Sequence, residues 1–311
     1  MTDKIGALLV TFNPNIPKLK ESLNRIINQV SKVIIVDNGS NNISSIKKLS
    51  VQLEIKLLDL KKNYGIAGAQ NRGFEFFFKN NFKWVLTLDQ DTMVPFDTVK
   101  KMRASKKFKD SSTAILAMKY YDPSWKPAQI KRATEKQKET ETQKWRIISS
   151  GNLVRTDIWN LVDGFDEWLF IDQVDFDFNA KVILAGYKIW QVNNLIMEHE
   201  IGKSIKKPVL TMMLLFKPNE FILDHSPMRE YYIARNTIVY SKRYSSHPDL
   251  EKFKTNLFHE IIMTRKILLY QKPRIKKIQA SWRGIVDGIK YDPEKDQKFI
   301  KFKQKIKKRK I

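Results

Sequence analysis

The sequence of 311 residues contains no cysteine. Disulfides, thiolate nucleophiles and cysteine-held metals are therefore excluded, and the chain suits a reducing compartment or one indifferent to redox. Long apolar runs are missing too. The longest candidate, Leu210 to Phe216, falls far short of the roughly 20 residues of a membrane-spanning helix. The opening residues, Met1-Thr2-Asp3-Lys4, lead straight into an apolar segment without the basic stretch, apolar stretch and cleavage site of a secretory signal. A cytoplasmic protein, at most peripheral on the inner face of the cell membrane, is expected. Neither G-x-G-x-x-G nor G-x-x-x-x-G-K-[ST] occurs, which sets aside the dinucleotide fingerprint and the P-loop.

What is present is a globular composition, 42% hydrophobic and 11% aromatic, enough for one large or two modest domains. The net charge of +24 is unevenly spread. Residues 203–311 hold 27 basic and 10 acidic side chains, a net of +17, whereas residues 1–202 hold 30 and 23. Eight of the last fourteen residues, Lys298 to Ile311, are Lys or Arg. Such a surface attracts polyanions: nucleic acid, anionic lipid headgroups or diphosphates. The plainer reading of the tail is a solvated, lysine-rich end. A non-catalytic polyanion-binding protein is one hypothesis, but the basic residues avoid the acid-bearing segments below, so no nucleic-acid partner is expected.

Short apolar runs at 5–11, 33–36, 55–60 and 84–88 alternate with helical spacing at 16–30 and 66–80, which predicts an open parallel sheet. Ligands of such sheets bind outside the carboxyl ends of the strands, where Asp37 and Asp89–Asp91 fall. Residues 122–146, rich in Lys, Glu, Gln and Thr, predict a mobile surface loop. Residues 147–200 return to mixed α/β character. Segments 228–243 and 253–270 carry amphipathic helical patterns.

Several segments bear residue types suited to chemistry, each with a structural alternative. Asp89-Gln90-Asp91 leaves an apolar strand. Two carboxylates two residues apart repel unless a cation or sugar hydroxyl lies between them, and Mg²⁺ or Mn²⁺ takes such oxygen ligands; the alternative is a simple turn. Asp37 is able to accept a pyrimidine N3–H, yet Asp37-Asn38-Gly39-Ser40 is also good turn sequence. The stretch Asn63 to Gly73 joins a strand to a helix whose N-terminus favours anions. Phe170 to Asp177 sets Asp172, Asp175 and Asp177 among aromatics, either as a general base with a raised pKa or as acids at a helix start. His199 lies between Glu198 and Glu200 and is either structural or a metal ligand. Arg229 beside Tyr231 and Tyr232 either grips a diphosphate or belongs to an amphipathic helix.

The order of these segments over roughly residues 3–245 resembles glycosyltransferase family 2 with its GT-A fold, in the branch of bacterial rhamnosyltransferases that assemble cell-surface polysaccharide. The quoted marks are Thr11, Val36-Asp37-Asn38-Gly39-Ser40, Asn63-x-Gly65 with Asn71-x-Gly73, Asp89-Gln90-Asp91, Phe170–Asp177 and His199-Glu200-Ile201-Gly202. The resemblance implies an α/β protein: a Rossmann-like GT-A domain over 1–202, with a nucleotide-binding half at 1–95 and an acceptor half at 96–202, then a mostly helical basic extension at 203–311. It implies an inverting, metal-dependent transferase using Mg²⁺ or Mn²⁺ and a dTDP or UDP sugar, with dTDP-rhamnose expected. The expected acceptor is a glycan or polyprenyl-diphosphate-linked glycan, near an anionic membrane surface. By carry-over, Thr11 and Asp37 hold the base; Asn13, Asn38, Asn63, Gly65 and Asn71 line the nucleotide pocket; Asp89 and Gln90 meet ribose or sugar; Asp91 and His199 bind metal. Asp175 is the base. Val174 replaces the usual Glu before it, which leaves Asp172 open as the second carboxylate. Ser150, Gly151 and Asn152 are expected on the acceptor side, with Arg229 and Tyr232 at acceptor or diphosphate.

Overall fold

In the computed structural model, which describes residues 3–200, 204–205, 209, 212–213, 222–245, 257, 265, 268–269 and 271–309, Ile5–Thr11 is a strand buried along its whole length. This strand, β1, has parallel neighbours on both sides, as an unbroken apolar run requires: β2 (Lys32–Asp37) and β4 (Trp84–Asp89), with β3 (Lys56–Asp59) beyond β2. Helices α1 (Ile16–Ile26), α2 (Ile43–Gln52) and α3 (Gly65–Lys79) connect them. Asn15 caps α1 by accepting the Lys18 amide at 3.1 Å, and Leu19, Leu23 and Ile26 form its buried stripe. α2 was not foreseen; its apolar pattern is short, and Ile46 and Leu49 are its buried anchors.

Beyond β4 the sheet changes character. α4 (Thr98–Ala104), β5 (Thr113–Tyr121), α5 (Pro127–Thr134), β6 (Glu141–Lys144), β7 (Asn152–Arg155), α6 (Thr156–Leu161), α7 (Val174–Leu184) and β8 (Lys188–Glu198) follow. The sheet order is β3-β2-β1-β4-β7-β5-β8-β6. β7 runs antiparallel to β4 and β5, and β6 antiparallel to β8, while β5 and β8 are parallel, so the expected parallel sheet holds for the first half and the second half is mixed. The expected loop at 122–146 likewise carries α5 and β6. An edge strand needs only one partner's backbone ladder and no apolar face, so Glu141–Lys144 pairs with Ile189–Val192 despite its polar composition. The core of this unit includes Leu9, Leu86, Leu116 and Leu153, and Trp84 stacks on Phe108 at 5.2 Å. Each such buried side chain stabilises the fold by roughly 1.5–3 kcal/mol.

Contacts group the chain into two units, Met1–Phe170 with Val174–Glu200, and Ile171–Gln173 with Ile201–Ile311. The second unit contains a short pair, β9 (Ser204–Ile205) with β10 (Ile222–Leu223), and helices α8 (Pro227–Tyr244), α9 (Arg274–Lys290) and α10 (Gln297–Arg309). The basic tail is helical: its Phe299 and Phe302 are buried, Phe299 edge-on to Tyr244 at 5.6 Å, while Lys301, Lys303, Lys305, Lys307 and Lys308 stay exposed as a solvated lysine-rich face. The helix expected at 253–270 lies almost wholly outside the described residues, as do Ile201, Gly202 and most of the Leu210–Phe216 run. Among the described residues no helix is long and apolar enough to cross a membrane.

One backbone position ties α3 to the segment before α7. Gly65 has φ of +74°, and a Cβ there would stand 2.4 Å from the Phe170 carbonyl oxygen, which accepts the Ile66 amide at 2.8 Å. Backbone atoms cannot rotate away as a side chain does. Gly65→Ala is expected to lower stability by about 2–3 kcal/mol in urea unfolding, and a change under about 0.5 kcal/mol would contradict this role.

Candidate active site

Strand register aligns the acids along one edge. Thr11 pairs with Asp37, Val10 with Asp89, and Asp37 with Asp59. The carboxyl ends of β1, β2 and β4 thus face the same side, where parallel sheets open to ligands.

The Asp37 carboxylate, expected to read a pyrimidine, is wholly buried and committed within the chain. It accepts from the Thr11 and Ser40 hydroxyls and from the Gly39 and Ser40 amides. Four donors meet the lone-pair capacity of a carboxylate, so the turn-forming alternative accounts for its placement. Asn13 sits in the left-handed region at φ +50° and accepts the Asn41 amide at 2.8 Å. Asn38 donates to the Asn63 side chain and the Gly65 carbonyl and accepts the Tyr64 amide, which locks β2 to the start of α3. Gln90 accepts the Phe12 amide at 2.9 Å, joining the ends of β1 and β4.

Asn71 departs from expectation. Its carboxamide oxygen accepts from the Trp159 indole and the Phe165 amide, and its NH₂ donates to the Phe165 carbonyl and Glu167. All four bonds staple α3 to residues 159–167. Ser150, Gly151 and Asn152, expected at an acceptor, are buried instead. Gly151 has φ of +76°, with Met197 filling the space a Cβ would need, and the Asn152 side chain donates to the Ile148 carbonyl. Ser150 works from behind the site: its hydroxyl accepts the Asp89 amide at 3.0 Å and shares a hydrogen bond with Thr92 at 2.7 Å.

Thr92 then reaches His199 Nδ1 at 3.0 Å. That bond turns Nε2 toward Asp89, whose Oδ2 lies 3.8 Å away. Burial raises the Asp89 pKa, the His199 ring pulls it back, and Asp91 pushes it up again. Asp91 is also raised, first by burial, with His199 and Lys18 opposing and Glu200 adding repulsion. Lys18 pairs with Glu200 at 2.5 Å and has its own pKa raised, first by that bond, with Asp91 and Glu198 contributing. Asp89, Asp91 and His199 thus share one electrostatic neighbourhood.

The second acidic segment joins this neighbourhood through Tyr120, which the sequence reading missed. β5 and β8 pair in parallel with a register break after Met118, where Met118 faces Val192 but Lys119 faces Ile196. The inserted residues restart the ladder and set Tyr121 opposite Glu198. Tyr121 donates its hydroxyl to Glu198 at 3.1 Å. The Tyr120 ring stands edge-on to His199 at 6.1 Å, and burial raises its hydroxyl pKa, with Asp175 adding to the rise. Asp175, in the first turn of α7, accepts the Phe176 amide at 3.0 Å. The signal available in the sequence was Tyr120's place at a strand's carboxyl end.

Asp172 and Arg229 pair with each other in the second unit. The guanidinium grips the carboxylate with contacts of 3.0–3.3 Å, and Asn236 holds the Ile171 and Asp172 carbonyls. The candidate second carboxylate and the candidate diphosphate ligand are thus engaged internally. Tyr232 lies beside Tyr231, with the Arg235 guanidinium 4.8 Å from its ring centre.

The donor set fits a hard or borderline divalent cation: two carboxylates that burial and mutual charge disfavour, beside an oriented imidazole. Among the described residues no three such side chains form a ready cage, so water or diphosphate oxygens would complete the shell.

Residues 7–169 match Glycosyl transferase family 2. A dTDP-rhamnosyl transferase of Shigella flexneri, RfbF, is 26% identical over 305 residues, covering 93% of this chain and 97% of that protein. Among solved structures, GalNAc-T7 with UDP, GalNAc and Mn²⁺ superposes with a TM-score of 0.53 at 13% identity, over 87% of this chain and 58% of the other. S. aureus TarS 1-349 in complex with UDP gives 0.50 at 16%, over 92% and 89%. At these identities the two structures speak for the fold.

Without metal, the Asp89 and Asp91 carboxylates, both disfavoured in their charged form by burial, are a local cost to folding. Asp91→Asn, melted in chelator, is expected to unfold about 2 °C or more above the wild type. A lower melting point would mean that Lys18 and His199 outweigh the repulsion.

Proposed function

The chain belongs to glycosyltransferase family 2, and from that membership we propose that it moves L-rhamnose from dTDP-rhamnose to a hydroxyl of a glycan or lipid-linked acceptor. The donor is carried by the reach of one likeness: the Shigella flexneri protein aligns over nearly its whole length, well past residue 169 where the family match ends. In this reading catalysis belongs to residues 1–202, and the basic region 203–311 serves the acceptor side.

The nucleotide occupies the carboxyl edge of β1, β2 and β4. Thr11, Asn13, Asn38, Asn63 and Gly65 shape its floor through the turn that Asp37 organises, and Gln90 holds that edge closed against β1. Asp89 orients ribose or sugar hydroxyls. Asp91 and His199, with Asp89 beside them, would hold the divalent metal, Mg²⁺ or Mn²⁺. When bound, the cation offsets the charge that develops on the leaving diphosphate.

The acceptor oxygen attacks the anomeric carbon as the bond from that carbon to the diphosphate oxygen breaks. The electron pair leaves with the diphosphate, and the acceptor proton passes to the Asp175 carboxylate. One displacement inverts the anomeric centre and needs no covalent enzyme intermediate. Asp175 alone carries the base role, because Arg229 already neutralises Asp172. Tyr120, beside both Asp175 and His199, walls the space between proton acceptor and metal site.

A donor panel tests the reading. With Mn²⁺ present, dTDP-rhamnose is expected to give turnover and a thermal shift, and UDP-sugars neither. Turnover with a UDP-sugar instead would replace the donor, and silence across the panel would sink the proposal. Asp175→Asn is expected to lower kcat by about 10²–10⁴-fold while keeping the donor-induced thermal shift. If that shift disappears, Asp175 holds the donor rather than the proton.

A further inference from the structure

Helix α9 packs with the opposite polarity to an ordinary surface helix. Its buried face is Lys277, Ala280, Ser281, Gly284 and Gly288. The two glycines bring its backbone against α8, where a Cβ at 284 would stand 2.3 Å from the Tyr231 carbonyl oxygen. Its large apolar residues point to solvent: Ile275, Ile278, Trp282 and Ile289 are 70%, 37%, 64% and 62% exposed. Spacings of three, four and seven residues set all four on one face of the helix. An amphipathic helix normally buries that stripe, and a contiguous exposed apolar stripe marks a surface that meets a partner.

The flanks of the stripe identify the partner. Arg274, Lys276, Arg283 and Lys290 border it, and the one acid of the helix, Asp287, accepts the Tyr231 hydroxyl at 2.8 Å. Beside the stripe lies a cavity of about 710 Å³ lined by Met228, Tyr231, Tyr232, Lys276, Trp282 and Arg283. Its walls join aromatic surface to two cations, the pairing that suits a lipid headgroup phosphate below an acyl boundary. A second copy of this chain would bring its own strongly basic C-terminal third, with 27 basic against 10 acidic residues over 203–311, and like charges oppose that contact. Nucleic acid satisfies the cations but leaves three isoleucines in water.

We propose that α9 is a membrane-docking helix. It seats Ile275, Ile278, Trp282 and Ile289 in the interfacial layer of an anionic phospholipid bilayer, while Lys276, Arg283 and Lys290 meet lipid phosphates. The surface lies on a folded helix rather than in the terminal lysine run, and its function does not depend on which sugar is transferred.

Co-sedimentation of the full chain with vesicles tests this without donor or acceptor, so its outcome stands apart from that of the donor panel. Vesicles of phosphatidylcholine with phosphatidylglycerol are expected to bind the protein, and phosphatidylcholine alone to bind it weakly. The double variant Ile275→Gln/Trp282→Gln is expected to weaken binding by about tenfold or more, and Lys276→Gln/Arg283→Gln to weaken it and flatten its salt dependence. Should the first variant melt below the wild type, Ile278→Gln/Ile289→Gln from the same stripe takes its place. Unchanged binding by the stripe variants would reduce the attraction to bulk charge and overturn the proposal. So would absence of wild-type binding, a self-association in sedimentation equilibrium that Trp282→Gln abolishes, or RNA binding that the same substitution abolishes.

Discussion

Two half-buried carboxylates, two residues apart at the carboxyl end of β4, are the constraint around which the first unit is arranged. Burial raises the pKa of both Asp89 and Asp91, and the Asp91 charge adds to the rise at Asp89. Such a pair is unfavourable for folding alone and useful for binding a cation. The surroundings hold it in place. The Asp89 amide is fixed by Ser150, Ser150 by Thr92, and Thr92 by His199, whose other nitrogen returns to Asp89. A chain of contacts of this kind leaves Asp89 few ways to move away from the imidazole.

The sheet explains why such a chain is able to form. Parallel strands β1, β2 and β4 deliver their carboxyl ends to one edge, and antiparallel β7 returns beside β4 to bring Ser150 behind Asp89. The interrupted pairing of β5 with β8 then carries Tyr120 and Tyr121 to the level of Glu198 and His199. The residues around Asp89 and His199 therefore come from both halves of one sheet. In the second unit polar groups are also satisfied in pairs: Lys277 with Asp224, Glu230 with Arg265, Arg229 with Asp172. Burial and the neighbouring cations lower the His225 pKa to about 4, which keeps its imidazole neutral there.

Several motif residues also brace the architecture around the candidate site. Asp37, Asn38, Asn63 and Asn71 resemble a nucleotide-binding set when read as letters, yet their side chains spend their hydrogen-bonding capacity on turns and helix joints. Short polar side chains near a ligand pocket and short polar side chains bracing its walls are the same residue types, and nothing local separates them. Tyr120 shows the converse. A tyrosine ending an apolar strand looks like core until a register break two residues earlier sets its ring beside a histidine.

The sequence by itself determined the alternation of apolar runs and amphipathic helices, the absence of cysteine chemistry, the acid-bearing turns at strand ends and the concentration of positive charge in the last third. Those follow from local periodicity and composition, which chain neighbours decide. Only the tertiary structure decided which acids meet, that Ser150 and Thr92 set the orientation of His199, that Arg229 neutralises Asp172, and that α9 buries glycines while exposing isoleucine and tryptophan. Each of these depends on the partner a side chain finds across many residues of sequence. Burial and hydrogen bonding select that partner only once sheet register and helix packing are in place.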